Sequence, residues 1–215
     1  MIKTIKDPVS MLTHLSWAIL AIPVTVLLIV LAVINGGGAV YVTSFAIFGA
    51  SLILLYTAST VYHWVSVPKL QMLLKRIDHS MIFILIAGTY TPISLLVLPG
   101  AWGLGILITI WTIAIIGIFL KLFWINMPRG LSSGIYIAMG WAVIAAIGPL
   151  RQSLLSLGQI MLLAGGIMYT IGGIFYALKW PPLKFKFWGF HEIFHLFIMA
   201  GSAFHVALMF IVLFM

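Results

Sequence analysis

Seven apolar stretches, each about long enough to cross a lipid bilayer, account for most of this 215-residue chain. They cover roughly residues 15–35, 40–65, 78–98, 102–124, 132–149, 157–178 and 191–214, and about 20 apolar residues span the hydrocarbon core of a bilayer. Charged residues make up only 7% of the chain. Soluble domains of this size do not have such a composition, so the sequence predicts an all-α integral membrane protein folded as one seven-helix bundle over residues 1–215.

The breaks between the runs carry glycine and proline, as turns do. The first run is too long for the apolar part of a signal peptide and is therefore interpreted as a retained span. The fifth run is the shortest and contains Gly134, Gly140 and Gly148, so its limits are the least defined. Close helix packing is the ordinary role of such small residues in a membrane.

Basic residues lie almost entirely on one side of the predicted bundle. Of the 11 lysines and arginines, only Arg151 falls in a connection on the opposite side. The positive-inside rule therefore predicts a cytoplasmic N-terminus and, with seven spans, an external C-terminus. Because these cations are scattered over several short segments, they do not form a nucleic-acid-binding patch.

Histidines on three predicted spans fall at one depth of the bundle. His191 and His195 are one helical turn apart, a spacing that lets two imidazoles reach one metal ion. His63 ends the second span, and Asp78 begins the third span on the same side. The chain has no cysteine, so a metal must bind to His, Asp or Glu, and three imidazoles favour zinc.

Two polar residues near this histidine group have alternative roles. Asp78 either pairs with Arg76 or Lys75 at the membrane surface or accepts a proton from a metal-activated water, and we favour the second role. Ser59 either bonds a carbonyl of its own helix or faces the site, where it orients His63 or polarises a substrate carbonyl. Both residues are candidate catalytic groups.

The remaining histidines are predicted to lie outside the ligand set. His205 lies about 15 Å along the helix from His195, too far to share a metal, and is predicted to pack in the bundle. His14 and His79 fall near the cytoplasmic edge, either behind the ligands or at the surface. Tyr90 is predicted to be a core residue.

Several motifs together resemble the hemolysin III branch of the progestin and adiponectin receptor family. The motifs occur in order along nearly the whole chain: Thr13-His14, Ser59-Thr60-Val61-Tyr62-His63, Arg76-Ile77-Asp78-His79-Ser80, Ala87-Gly88-Thr89-Tyr90-Thr91-Pro92 and Gly189-Phe190-His191-Glu192-Ile193-Phe194-His195. Leu15 departs from the pattern, in which glycine is expected, but it touches no candidate ligand. The resemblance implies a multi-pass protein of the bacterial plasma membrane.

The resemblance also implies a zinc (Zn2+) site and a lipid-directed activity. The matching histidines are His63, His191 and His195, with Asp78 beside the water that the zinc binds. Relatives in the wider family look like intramembrane lipid-amide hydrolases, similar to ceramidases, so the implied partner is a membrane lipid and the implied role is membrane-lipid homeostasis. Glu192 matches a position that can be glutamine in the receptor relatives, so the base role is assigned to Asp78.

Three other functions stay open from the sequence. The first alternative is a pore-forming haemolysin, which needs a polar stripe across the membrane. The second alternative is a non-enzymatic sensor or receptor with structural zinc. The third is an intramembrane metalloprotease, suggested only by the His-Glu-x-x-His string, in which Glu192 would be the base.

Overall fold

The structure, a computed structural model, describes residues 5–183, 185 and 188–215, and all regular elements in this part of the chain are helical. Eight α-helices follow one another as α1 (Pro8–Ile34), α2 (Ala39–Trp64), α3 (Pro68–Pro92), α4 (Gly100–Phe123), α5 (Arg129–Gly140), α6 (Ile147–Ser153), α7 (Ser156–Leu178) and α8 (Phe190–Leu213). A π-helical turn (Ile93–Val97) extends α3, and a 3-10 turn (Ala142–Ala146) joins α5 to α6.

These helices form seven segments that are long and apolar enough to cross a membrane, which confirms the predicted all-α seven-span architecture. The sidedness inferred from the charges stays a prediction. Three of the lysines in that charge count, Lys3, Lys184 and Lys186, lie outside the described residues.

Two helices begin well before the apolar runs that marked them. α1 starts at Pro8 and α3 starts at Pro68, each with proline in the first turn, where its missing N–H costs no hydrogen bond. An apolar run marks only the part of a helix that lies in hydrocarbon, whereas the helix itself continues into the interface. Asp78 consequently lies about 15 Å inside α3 rather than at its start.

The fifth span is broken in the middle, which explains its weak sequence signature. α5 ends at Gly140, and the 3-10 turn that follows leaves backbone groups without α-helical partners. Tyr90 of α3 satisfies two of them, because its hydroxyl donates to the Gly140 carbonyl at 2.7 Å and accepts from the Val143 amide at 2.9 Å. Tyr90 is thus a core residue, as predicted, and it also bridges α3 to the break.

The bundle is organised around α3, the most buried of the seven spans. α1 packs along α2, α2 along α3 and α3 along α4, while α8 packs against α7 and α1. The outer faces are apolar: Leu12, Ile19, Val26 and Val33 follow one face of α1 and are 55–61% exposed. Such a surface suits contact with lipid acyl chains.

Four of the five exposed tryptophans among the described residues lie at the end of the bundle at which α1 begins, and Trp102 lies at the other end. Exposed Trp64, Trp124, Trp180 and Trp188 all lie there, at the ends of α2 and α4 and in the connection from α7 to α8. Tryptophan is enriched where a membrane protein crosses the interface between lipid and water. We call this the N-terminal end of the bundle.

Replacing Gly88 by alanine is expected to separate α2 from α3. A Cβ at Gly88 would lie 2.5 Å from the Cβ of Ser51, an atom that moves only with its backbone. We expect the Gly88→Ala variant to lose about 1–3 kcal/mol of stability, the usual cost of overpacking. The thermal unfolding midpoint in detergent is the measurement. Gly105→Ala is the control, because nothing lies within 4 Å of a Cβ there, and equal midpoints would contradict the expectation.

Candidate metal centre

The fold brings three histidines together at the N-terminal end of the bundle. His63 comes from the last turn of α2, and His191 and His195 come from the first two turns of α8. One ring nitrogen of each lies within 4.8 Å of those of the other two, and the group is the only such cluster of potential metal ligands among the described residues. The α-helical spacing predicted for His191 and His195 is therefore present, with His63 opposite them.

One of the distances in this group matches that between two ligands of a tetrahedral ion. The Nε2 atoms of His63 and His191 lie 3.2 Å apart. Two nitrogens on a tetrahedral zinc are separated by about 3.3 Å, given Zn–N bonds of about 2.0–2.1 Å. The Nδ1 atom of His195 is buried and has no hydrogen-bond partner. An orphaned imidazole nitrogen is costly in a membrane interior unless something binds it, so the residues fit a metal ion.

A carboxylate defines the protonation of the His63 ring. Oδ2 of Asp7, the residue before α1, lies 2.9 Å from Nδ1 of His63. Because an ionised carboxylate only accepts hydrogen bonds, Nδ1 carries the proton and the Nε2 of a neutral ring keeps its lone pair. The hydrogen bond from His63 lowers the pKa of Asp7 below its ordinary value; partial burial opposes the shift and Lys6 adds to it.

The short distance between the Nε2 atoms of His63 and His191 also has an explanation without metal. Nε2–H of His191 can donate to the Nε2 lone pair of His63 at 3.2 Å. That arrangement still leaves Nδ1 of His195 unsatisfied. A metal ion accounts for all three rings, whereas the hydrogen bond accounts for two.

The two candidate catalytic residues pair with each other. The hydroxyl of Ser59 lies within reach of the carboxylate of Asp78, and both side chains line the same cavity as His191 and His195. Ser59 therefore orients Asp78, a partner that the sequence did not suggest. Asp78 makes no ion pair with Arg76 or Lys75, since the ion pairs of the described residues involve only Asp7 among the acids.

Glu192 faces away from the three histidines. Its Oε2 accepts a hydrogen bond from the Gly189 amide at 2.8 Å and its Oε1 accepts one from the Ser10 hydroxyl at 2.7 Å. The first contact caps the start of α8 and the second ties α8 to α1. Both oxygens are thus engaged in structural contacts.

His14 lies against the centre and not at the surface. Its ring is 3% exposed and stacks on the His195 ring, with 3.6 Å between centroids. It is almost completely buried, so the surface alternative is wrong and the position behind a candidate ligand is the one observed. The edge of the Tyr56 ring closes the other side of His14, with centroids 4.9 Å apart.

The other two histidines do not join the group. His79 packs near Tyr176, and its backbone carbonyl accepts a hydrogen bond from Tyr136. His205 is buried deeper in the bundle beside Tyr169, as its distance along α8 predicts. Neither ring nitrogen of His205 has a hydrogen bond of ordinary geometry.

A cavity of about 300 Å³ leads from this centre into the bundle. It lies between α3, α5, α7 and α8, and at the far end it reaches Arg151 and Gln159. Its lining is mostly apolar, and its polar groups include Ser59, Asp78, His191 and His195 at one end. An apolar cavity with a few convergent polar groups is the usual form of a small-molecule site.

These features define a class: a seven-span membrane protein with three convergent imidazoles and an acid–hydroxyl pair at one end of the bundle, from which a mostly apolar cavity leads inward. The chain matches the model of the haemolysin-III related family over residues 2–206 and belongs to that family, which confirms the resemblance drawn from the motifs. It is accordingly a multi-pass protein of the plasma membrane.

Two bacterial relatives are similar over most of their length. The hemolysin-3 homolog of Bacillus subtilis (strain 168) is 42% identical over 212 residues, which cover 98% of this chain and 95% of the relative. Hemolysin-3 of Bacillus cereus is 42% identical over 192 residues, which cover 89% and 84% of the two chains.

Proposed function

We propose that this protein is a zinc-dependent hydrolase that cleaves an amide or related carbonyl bond of a membrane lipid from within the bilayer, with a role in membrane-lipid homeostasis. The observation that carries the proposal is the meeting of three imidazole nitrogens within 4.8 Å, where two of the rings, His191 and His195, line one end of a mostly apolar cavity. Neither feature alone would favour hydrolysis of a lipid. Together they support a metal-dependent reaction on a substrate with an apolar chain.

His63, His191 and His195 would hold the ion. Three imidazoles leave one coordination position open, as in catalytic zinc sites. Zinc bound in this way supplies a Lewis acid and lowers the pKa of a bound water to about 7. The first task of the chain's own residues is therefore to bring the three ring nitrogens together, and the end of α2 and the start of α8 do so.

Asp78 is the residue proposed to move protons. Its carboxylate takes the proton of the water that attacks the substrate carbonyl, and it then returns a proton to the leaving amine. The Ser59 hydroxyl, which lies within reach of this carboxylate, orients it towards the cavity. Glu192 has no part in these steps because other residues occupy both of its oxygens.

The cavity suits the acyl chains of such a substrate. Side chains such as Leu85, Ile137, Leu162 and Ile198 line it. Its volume, about 300 Å³, lies at the lower end of the range of about 300–1,000 Å³ that is typical of ligand sites. An apolar chain can therefore occupy the cavity while its carbonyl lies beside Asp78 and the imidazoles.

A lipid-hydrolysis screen with purified protein tests the proposal. Detergent-solubilised wild type is incubated with ceramides, N-acyl amino-acid lipids and ester phospholipids, and released fatty acid is measured by mass spectrometry. We expect release from at least one class, and its loss after dialysis against a zinc chelator and recovery with added zinc. Release that persists unchanged in the chelator would contradict a metal-dependent reaction.

Membrane permeabilisation is the second candidate, favoured by the name of the Bacillus cereus relative. A pore needs polar groups across the full thickness, and although polar side chains such as Tyr90, Thr170 and Gln159 line the cavity beyond the histidines, most of its lining is apolar. Reconstituted protein in dye-loaded liposomes distinguishes the two functions. Rapid dye release without lipid turnover would favour the pore.

A further inference from the structure

The start of α1 contacts both of the helices that carry the candidate metal ligands. The Asp7 amide donates to the His63 carbonyl at 3.0 Å, and the Asp7 carboxylate accepts from the His63 ring at 2.9 Å. Three residues later, the Ser10 hydroxyl donates to Glu192 at 2.7 Å, in the turn between His191 and His195. Residues 6–14, which we call the N-terminal clasp, thus join the end of α2 to the start of α8.

We propose that the N-terminal clasp orients the imidazoles that bind the metal, with Asp7 as the positioning residue of His63. The inference rests on the metal site of the proposed function and adds a group of residues that supply no ligand. It assigns α1 a role in metal affinity that does not depend on which lipid is cleaved.

Asp7 holds His63 at two points. One bond fixes the backbone at the end of α2, and the other fixes the rotation of the ring and places its proton on Nδ1. A metal-binding histidine ordinarily donates its second ring N–H to a carboxylate or carbonyl, which orients the ring and strengthens it as a ligand. Asp7 supplies this contact, so the Nε2 atom of His63 is directed towards His191.

Lys6 in turn positions Asp7. Its ammonium lies 3.5 Å from the Asp7 carboxylate and 3.6 Å from the centroid of the Tyr62 ring. Tyr62 directly precedes His63 on α2. The cation therefore attaches the clasp to the same turn of α2, through an ion pair and a cation–π contact.

Two residues of the clasp, Ser10 and His14, support the two ligands on α8. Ser10 and the Gly189 amide together hold Glu192, which fixes the first turn of α8 and with it the direction of His191. His14 stacks flat on His195, with ring planes 12° apart. Stacking of this kind restricts ring rotation and so keeps His195 facing the other imidazoles.

The use of acidic residues strengthens the argument. The whole chain has three, Asp7, Asp78 and Glu192. Asp7 belongs to the clasp, and Glu192 accepts a hydrogen bond from it. Asp78 lines the cavity beside the centre. The clasp contacts therefore involve two of the three acidic side chains in the chain.

Zinc affinity of Asp7 variants tests the inference. Purified Asp7→Ala and Asp7→Asn proteins compete for zinc against a chromophoric chelator, and the same proteins are loaded with Co2+ for visible absorption spectra. We expect about a 10–100-fold weaker zinc affinity for Asp7→Ala, the usual effect of losing the residue behind a ligand. Asp7→Asn keeps a neutral hydrogen-bond acceptor, so its zinc affinity is expected to lie between those of wild type and Asp7→Ala. The Co2+ absorption bands of Asp7→Ala are expected to shift because the His63 ring is free to rotate.

Ser16→Ala is the matched control, because Ser16 is an exposed residue of α1 whose hydroxyl bonds only the Thr13 carbonyl of its own helix. It should bind zinc like wild type. If Asp7→Ala fails to fold, Asp7→Asn, which has the same shape, carries the test. Wild-type affinity and spectra in the Asp7 variants would overturn the clasp and leave the metal site standing, whereas a wild type that binds no divalent metal would overturn both.

Discussion

The His191→Ala protein is expected to lose its zinc almost completely. Two imidazoles remain in that variant, and they are too few for a stable site with no thiolate in the chain. Zinc affinity is expected to fall by more than about 100-fold, which is a larger loss than removal of a residue that only hydrogen-bonds a metal ligand usually causes. Elemental analysis of purified protein should give about one zinc per wild-type chain and close to none for the variant.

His205→Gln is the control for this experiment. It removes another buried histidine of α8 that lies outside the group of three. The variant should keep the wild-type zinc content, even if packing beside Tyr169 weakens. Equal zinc in His191→Ala and wild type would mean that the 3.2 Å contact between His63 and His191 is a hydrogen bond alone.

The parts of this structure that follow from local pattern were predictable. Apolar runs gave the seven spans, because a bilayer sets the length of a helix that crosses it. The spacing of His191 and His195 placed two rings on one helix face, and the count of spans placed His63 at the same end. The predicted starts of α1 and α3 were wrong by 7 and 10 residues, because hydropathy does not mark the part of a helix that lies in the interface.

Contacts between distant segments could not be read from the sequence. Asp7 precedes the first span and carries no motif, yet it lies against His63, 56 residues away. His14 belongs to a short motif that could equally be at the surface, and only the packing of α1 against α8 buries it on His195. Such pairings depend on which helices are neighbours, and periodicity within one helix holds no information about that.

The break in the fifth span is a related case. Glycines made the limits of this run uncertain, but the partner that stabilises the break, Tyr90, is on another helix. Without a hydroxyl at that place, the Gly140 carbonyl and the Val143 amide would be unsatisfied in a membrane, at a cost of several kcal/mol. The sequence therefore predicted an irregular segment but not the residue that stabilises it.

Asp78→Asn is expected to abolish most lipid hydrolysis while leaving zinc in place. Asparagine has nearly the same shape and can still bond Ser59, but it cannot take a proton from the attacking water. The rate constant for the hydrolysed lipid should fall by about 10²–10⁴-fold, the usual contribution of a positioned general base. Fatty-acid release and zinc content are measured on the same preparations, and loss of both together would make Asp78 a residue of the metal site instead.

Glu192→Gln separates this mechanism from that of a metalloprotease. If Glu192 were the base, as the His-Glu-x-x-His string suggests, its amide variant would be the inactive one. Glutamine retains an oxygen that can accept from Gly189 or Ser10, so the capping contacts largely survive. We therefore expect Glu192→Gln to keep lipid hydrolysis within about 10-fold of wild type, since only contacts behind the ligands change. If Glu192→Gln lost lipid hydrolysis and Asp78→Asn kept it, the general base would be Glu192, which would contradict the proposed role of Asp78.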